Sequence, residues 1–386
     1  MYKKIFNSIC FASSLFLSSY SIASTDNYPI EIGAIYNLTG QQAILDTFSA
    51  NGAQLAVDQI NAAGGVLGRQ LKLDLVDGKT NISTIHLAAK KFAQNADMPA
   101  VIGLSDTNMV LAAAPIIANA HKVFITSGAT SPLLPQQVPD YLFLACYGDN
   151  AQGDAAADYV YKALNDKSAY IIYDGNMEYT RLLANYFQRH FTEIGGIIIG
   201  QDNYSHTQPE IKSAIAQIKA QNPDAIFLAA GPGEAAPLIK ELRAEGFTQP
   251  IIGGDSFDSK DLLHNLDKKN NNNIFYTTHA FLDNSNKDPD IQKFIKAYQE
   301  KFHQFPTTSF AALGYDTVEL LTAAVRKSHS TDPEKIRQAL KSMKNWDGVT
   351  GNITFKGNDD IPYKTVSIIK VINGVPELAS TWTPKI

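Results

Sequence analysis

Short apolar runs alternate along the first third of the chain with segments whose apolar residues recur at helical spacing. The runs predict β-strands at residues 29–36, 71–76, 99–104 and 122–126. The segments between them predict helices, the second and third of which fall near 84–95 and 108–121. Pro115 lies inside the last of these and is expected to bend or weaken it. Strands that alternate with helices predict parallel sheets covered by helices on both faces.

The same rhythm continues beyond residue 150. Strands are predicted at residues 169–174, 196–201, 224–231 and 250–255. Helices are predicted near 152–164, 180–194, 210–220, 234–245, 288–302, 310–325 and 333–343, before a closing pair of strands within 354–374. About twelve such units are too many for one sheet of ordinary width. The predicted fold class is therefore α/β, with two doubly wound Rossmann-like lobes built on parallel central sheets.

Polar residues follow several predicted strands at the sheet edge where parallel α/β folds bind ligands. Thr107 and Asn108 follow the third strand, and Gly128 and Thr130 follow the fourth. Gly128 lets a ligand approach the backbone closely, and the Thr130 hydroxyl can accept from an ammonium or donate to a carboxylate. Asp255 follows a strand in the second half. A local interpretation stays open, in which Thr107 or Asn108 caps the next helix and Asp255 caps a turn.

The first 23 residues have the composition of a secretory signal peptide. Lys3 and Lys4 form a basic start, residues 9–20 are mostly apolar, and Ser21 and Ala23 suit cleavage after Ala23. The alternative is an interfacial helix kept on the mature protein, since the apolar part is too short to span a bilayer. The sequence predicts a cleaved signal peptide over residues 1–23.

The charge balance argues against nucleic acid and anionic lipid as partners. The chain has 33 basic and 38 acidic residues, and its net charge of −5 becomes −7 when Lys3 and Lys4 are removed. It has no basic cluster that would attract polyanions. Cleavage would also leave Cys146 as the single cysteine, which is predicted to be a small buried core residue rather than a disulfide partner.

Sequence signatures of common enzyme sites are missing. No nucleophile elbow, phosphate-binding loop or dinucleotide fingerprint occurs, although GPGEAAP and NAAGGVLG are rich in glycine. The eight histidines stand singly, without a second histidine or cysteine at metal-ligand spacing. We therefore expect no catalytic residues, no cofactor and no metal.

Seven segments, considered together in their order along the chain, resemble a known family. They are IGAIYNLTG at 32–40, NGAQLAVDQINAAGGVLGRQLKL at 51–73, AVIGLSDTNMVLAAAPIIANAHKVFITSGATSP at 100–132, IIYDGNMEYTRLL at 171–183, PDAIFLAAGPGEAAPLIKELRAEGF at 223–247, IIGGDSF at 251–257 and FPTTSFAALGYDTVELL at 305–321. Together they resemble the type I periplasmic binding proteins of the leucine/isoleucine/valine-binding group. The resemblance covers nearly the whole chain after the signal peptide.

This resemblance implies two lobes joined by a three-segment hinge that close on a ligand. The N-terminal lobe would comprise residues 24–147 and 279–357, and the C-terminal lobe residues 148–278 and 358–386. The expected protein is a monomeric, periplasmic substrate-binding component of an ABC importer. Its expected partners are a small molecule, in the first place an amino acid, and the membrane permease of the transporter.

The resemblance also implies roles for individual residues. Thr107, with Asn108 beside it, would bind a ligand carboxylate, and Gly128 and Thr130 would hold carboxylate and ammonium. Asp255 would pair with the ammonium. Further contacts implied for the side-chain pocket and the second lobe come from Leu45, Tyr147, Tyr179, Gly231 and Phe305.

Two residues depart from the family pattern. Asp106 replaces a small hydroxyl residue, and because it would repel a ligand carboxylate we expect it to point outward. Gly231 stands where some relatives have an aromatic residue, which predicts a roomier or differently shaped pocket.

Other functions remain open from the sequence. The runner-up is a receptor for an amide, a choline-like amine or an aromatic acid, or a sensor that reports ligand binding to a protein partner. An exported enzyme on a two-lobed scaffold is the alternative from a different class.

Overall fold

The computed structural model describes residues 28–205, 211–267, 270–355 and 360–384. The predicted signal peptide, residues 1–23, lies outside this part of the chain. Within it, no helix is both long and apolar enough to cross a membrane.

The first sheet has five parallel strands. They are β1 (Ile30–Tyr36), β2 (Leu71–Asp77), β3 (Ala100–Gly103), β4 (Val123–Thr126) and β5 (Leu142–Leu144), in the order β2-β1-β3-β4-β5. The connecting helices are α1 (Ala43–Ala62), α2 (Ile82–Gln94), α3 (Thr107–Asn119) and α4 (Leu134–Gln137). Ile32 and Ala34 point into one core, whereas Ile35 points into another on the opposite face. Both faces of the sheet are therefore buried, as expected for a doubly wound fold.

The second sheet has seven strands, five parallel and two antiparallel. Its strands are β6 (Ser168–Asp174), β7 (Ile197–Tyr204), β8 (Ala225–Ala229), β9 (Ile251–Gly253), β10 (Ile274–Thr278), β13 (Val366–Ile372) and β14 (Val375–Trp382). Strands β11 (Trp346–Gly348) and β12 (Gly351–Ile353) form a separate small hairpin. The order is β14-β13-β10-β9-β8-β6-β7. The closing pair of strands lies closer to the C-terminus than predicted. Strand β13 pairs with β10 and β14, whereas β12 pairs with β11.

The remaining helices divide between the two sheets. They are α5 (Asp149–Asp158), α6 (Glu178–Glu193), α7 (Lys212–Gln221), α8 (Ala235–Ala244), α9 (Lys260–Asn265), α10 (Pro289–Phe302), α11 (Phe310–Ser328) and α12 (Pro333–Lys341). Helices α5 to α9 contribute to the cores of the second sheet, and α10 to α12 return to those of the first. We call each sheet with its helices the first lobe and the second lobe. A π-helical turn, residues 159–163, continues α5.

The chain passes between the lobes three times, as the fold class predicts. These crossovers follow β5, β10 and β12. Lys364, on the third crossover, donates from Nζ to Ala145 O on the first at 2.9 Å and also to Thr350 Oγ1. The predicted lobe boundaries at 147/148 and 278/279 stay predictions, and the one at 357/358 lies outside the described residues.

Helices α1 and α11 of the first lobe cross at two glycines. A Cβ atom on Gly314 would lie 1.9 Å from Ser49 O, and one on Gly52 would lie 1.8 Å from Ala311 O. The backbones therefore touch at a point where any side chain would force them apart. This contact holds the buried N-terminal half of α11 against α1, at the edge of the first lobe that faces the second lobe.

We predict that Gly314→Ala destabilises the protein. Helix propensity alone would favour alanine by about 1 kcal/mol, but the clash with α1 should reverse the sign and cost about 1–3 kcal/mol. Urea unfolding measures the change, with Arg326→Ala on the exposed face of α11 as the control expected within about 0.5 kcal/mol of the parent. A stabilised Gly314→Ala protein would show that the helices are not in backbone contact.

Candidate functional site

A cavity lies between the two lobes, where the carboxyl ends of strands from both sheets face each other. It encloses about 270 Å³ of space between atoms, part of which is open to solvent. The lining residues are Gln42, Leu45, Ser105, Asp106, Gly128, Thr130, Phe310 from the first lobe and Met177, Tyr179, Pro232, Asp255, Ser256 from the second. Because the lining comes from both lobes, a ligand bound here would contact both of them.

The first-lobe wall is built from the loops after β3 and β4. Gly128 and Thr130 follow β4 and line the cavity. A Cβ atom on Gly128 would lie 2.5 Å from the Phe310 ring, so the ring packs directly against this backbone. Leu45, near the start of α1, completes an apolar part of the wall.

Asp106 also lies on this wall, and the expectation that it points outward is wrong. Asp106 is 5% exposed, and its Oδ1 accepts from Met109 N at 3.0 Å, so it caps the N-terminus of α3. Capping draws the carboxylate toward the helix axis and into the interior. Burial raises the pKa of this carboxyl, and hydrogen bonds from the Met109 and Asn108 amides oppose the rise.

Thr107 and Asn108 take positions other than the cap that the local interpretation gave them. Thr107 is the first residue of α3, only 1% exposed, and its Oγ1 has no hydrogen-bond partner among the described residues. Asn108 Oδ1 accepts from Glu178 N of the second lobe at 3.1 Å. Gln41 makes a second bridge between the lobes, since its Nε2 donates to Pro232 O and to Glu234 Oε1. The lobes are therefore closed on each other at the rim of the cavity.

The second-lobe wall is centred on Asp255, which begins a single 3₁₀ turn after β9. Asp255 is 2% exposed. Beside it, Tyr179 Oη donates to Ser256 Oγ at 3.2 Å, and Ser256 Oγ donates to Ala230 O at 2.7 Å. Two hydroxyls and one carboxylate are thus fixed on this wall.

Two neutral side chains hold the Asp255 carboxylate. Gln152 Nε2 donates to its Oδ1 at 3.2 Å, while His279 Nε2 lies 2.9 Å from its Oδ2. Burial lowers the pKa of His279, so the ring is neutral at pH 7 and donates this hydrogen bond. Gln152 also donates to Asp149 Oδ1 at 2.9 Å. The negative charge on Asp255 is hydrogen-bonded but not balanced by a cation within this network.

Tyr147 lies behind the cavity rather than on its wall. Its ring stacks on His279 with centroids 3.9 Å apart, and His279 in turn meets the edge of Phe310 at 5.7 Å. Tyr147 comes from the first crossover and His279 from the second. Tyr147 therefore supports the residue that orients Asp255.

The prediction that Phe305 covers the side-chain pocket is wrong. Phe305 lines a separate cavity beside Thr278, Ala280 and Leu282. The aromatic residue at the cleft is Phe310, because the N-terminus of α11 points toward Gly128.

Gly231 does not make the pocket roomier, because Met177 occupies the neighbouring space. A Cβ atom on Gly231 would lie 2.8 Å from Met177 Sδ. Gly231 N donates to Glu234 Oε2 at 2.9 Å, which places this residue at the rim.

Several residues of the site were missed from the sequence. Ser105 lies two residues before Thr107 and Ser256 directly follows Asp255, so the rule that polar residues follow strand ends could have included both. Gln152 and His279 carry no such signal, because only the crossovers bring them to Asp255.

Within the described residues that line the cavity, Asp106 and Asp255 are acidic and none is basic. No group of three potential metal ligands occurs in that part of the chain either.

The chain is similar to known binding proteins over most of its length. The Periplasmic binding protein family profile matches residues 29–375. The Leu/Ile/Val-binding protein BraC3 of Rhizobium johnstonii is 27% identical over 92% of this chain and 95% of its own. The crystal structure of the branched-chain amino acid transporter substrate binding protein LivJ of Streptococcus pneumoniae, in complex with isoleucine, has a TM-score of 0.84 and 28% identity over 92% of this chain and 100% of its own. The leucine binding protein LivK of Thermotoga maritima has the same TM-score and identity over 92% and 99%.

We predict that Asp149→Asn changes the pH dependence of stability. Burial raises the pKa of the Asp149 carboxyl from 3.8 to about 8. Between these values the unfolded chain loses this proton while the folded protein keeps it, so the contribution of Asp149 to stability falls as pH rises. Asparagine does not ionise, so the variant lacks this contribution to the pH dependence of stability.

The free energy of unfolding of Asp149→Asn, relative to the parent, should therefore increase from pH 5 to pH 8 and then level off. Urea unfolding at pH 5, 7 and 9 measures it, with the exposed Asp267→Asn as the control expected to stay flat. A difference that is constant with pH would show that Asp149 ionises normally in the folded protein.

Proposed function

Because the chain belongs to the periplasmic binding protein family, we propose that it captures an amino acid or a related small metabolite with a cationic nitrogen between its lobes. It would then present the closed form to the permease of an ABC importer. The observation that carries this proposal is the buried Asp255 carboxylate, which faces the cavity without a cationic partner.

The charge of Asp255 determines the kind of ligand. A buried carboxylate without a counter-charge destabilises a structure by several kcal/mol. Gln152 and His279 satisfy hydrogen bonds of both oxygens but are uncharged donors. An ammonium group on the ligand would supply the missing charge and a charge-assisted hydrogen bond.

The opposite wall supplies hydrogen bonds to the rest of the ligand. Gly128 and Thr130 line the cavity, and Thr107, which follows the lining residue Asp106, is buried with its Oγ1 unpartnered among the described residues. The apolar contacts come from Leu45 and Phe310. The relatives described above include a protein in complex with isoleucine and one named a leucine binding protein, so an aliphatic side chain is the first choice for this apolar part.

Ligand binding would favour closure of the two lobes, because the groups that contact the ligand lie on different lobes. A ligand that bridges Asp255 and the Gly128–Thr130 loop makes both sets of contacts only when the lobes are closed. The bridges from Gln41 and Asn108 across the rim form in the same state. The permease would read this closed shape, and we propose that the receptor acts as a monomer.

We predict that Asp255→Asn weakens ligand binding by roughly 2–5 kcal/mol, since a neutral amide cannot pair with the ammonium. A thermal-shift screen against amino acids, their amides, amines and aromatic acids first identifies a ligand, which should add about 2.7 kcal/mol of stability at 100 times its dissociation constant. Calorimetry then compares the parent with Asp255→Asn and with the exposed Asp267→Asn, which should bind normally. Unchanged affinity of Asp255→Asn, or a screen in which only aromatic acids bind, would contradict the proposal.

We further predict that the protein is exported to the periplasm with residues 1–23 removed. Mass spectrometry of the periplasmic fraction should find a mature N-terminus at Ser24. Replacing Lys3 and Lys4 by glutamate should slow export, because a signal peptide needs a basic start. Recovery of the uncleaved chain in the cytoplasm would refute this assignment.

A further inference from the structure

The N-terminus of α3 points at the first-lobe wall of the cavity, which is where a ligand anion would ordinarily bind. The first amide groups of a helix have no partner within the helix and carry partial positive charge. In this protein the Asp106 carboxylate occupies that position. Its Oδ1 accepts from Met109 N at 3.0 Å, and the Asn108 amide also hydrogen-bonds to it.

The anion site at this end of the helix is therefore filled by a side chain of the protein itself. Asp106 is buried and lines the cavity. No Lys, Arg or His side chain forms an ion pair with it in the part of the chain that the structure describes. A ligand carboxylate at this wall of the cavity would therefore meet the like charge of Asp106.

A second buried acid adds to the negative field on this side. Asp46, in α1, is fully buried and accepts from Asn37 Nδ2 at 2.8 Å, and its charge interacts unfavourably with that of Asp106. The two walls of the cavity thus present Asp106 and Asp255, with no basic residue in the lining.

From this arrangement we propose that Asp106 is a specificity-determining residue: the ligand end that reaches α3 carries N–H donors, as a primary amide or an amine does, and not a free carboxylate. The inference rests on the proposed function and narrows its ligand class to molecules with N–H groups at both ends. The Thr130 hydroxyl on the same wall of the cavity fits such a ligand, because a hydroxyl accepts from N–H as readily as it donates to a carboxylate.

The test compares two probes that differ only at this end, l-leucine and l-leucinamide, by calorimetry at pH 7.0. An aliphatic side chain suits the contacts with Leu45 and Phe310. The parent protein should bind l-leucinamide at least tenfold more tightly than l-leucine. Asp106→Ser, which keeps a capping hydroxyl but removes the charge, should reduce that ratio at least tenfold. The matched control is Asp97→Ser, an exposed acid of the first lobe, which should keep the parent ratio.

A third probe, 1,4-diaminobutane, distinguishes the two sources of N–H donors. Tighter binding than l-leucinamide assigns an amine to the Asp106 end, and weaker binding assigns an amide; both support the inference. Thermal unfolding of Asp106→Ser near the parent temperature confirms that the variant is folded, and Asp106→Asn repeats the comparison with a cap of the same size.

Three results would overturn the inference. The parent could prefer l-leucine, with proton uptake on binding that shows Asp106 becoming neutral. Alternatively, Asp106→Ser could leave the ratio of affinities unchanged. Either result leaves the proposed function standing as long as Asp255→Asn still weakens binding. If neither probe binds the parent or the variant, both the inference and the aliphatic amino-acid class are contradicted.

Discussion

The Asp255 carboxylate is the charge around which the rest of the site is arranged. It lies at the end of a buried strand, almost without solvent contact, and receives hydrogen bonds from Gln152 and His279. Both donors are neutral, so the carboxylate is oriented without being neutralised. In the proposed function the ligand supplies the missing positive charge. An acid that faces a closed cavity in this way favours a cationic group over any neutral one of similar size.

The same network connects the site to the hinge. Gln152 lies just after the first crossover, and His279 lies on the second and stacks on Tyr147 of the first. Lys364 of the third crossover hydrogen-bonds to Ala145 of the first. The groups that hold Asp255 in place therefore lie on or next to the segments that connect the lobes. A ligand bound to Asp255 would stabilise both its own site and the closed arrangement of the crossovers.

The candidate site was predictable where its residues follow strands, and not where they arrive from elsewhere. Gly128, Thr130 and Asp255 come directly after strands, and the sheet edge brings them together. His279 reaches Asp255 only through the second crossover, and Phe310 reaches the cavity only through α11. Asp106 was expected to point outward because it would repel a ligand carboxylate, whereas it caps α3 and lines the cavity. The cap joins residues three apart and is a local signal, but the cavity beside it forms only where the two lobes meet.

The sequence by itself determined the α/β class, the alternation of strands and helices, and the polar residues at strand ends, because these depend on the spacing of apolar residues along short segments. It also carried the family resemblance. Only the tertiary structure decided that β13 and β14 join the second sheet as antiparallel strands, that Met177 fills the space beside Gly231, and that Asp106 faces the cavity. Those outcomes depend on packing between residues far apart in the chain, and no local pattern records which distant surface a side chain will meet.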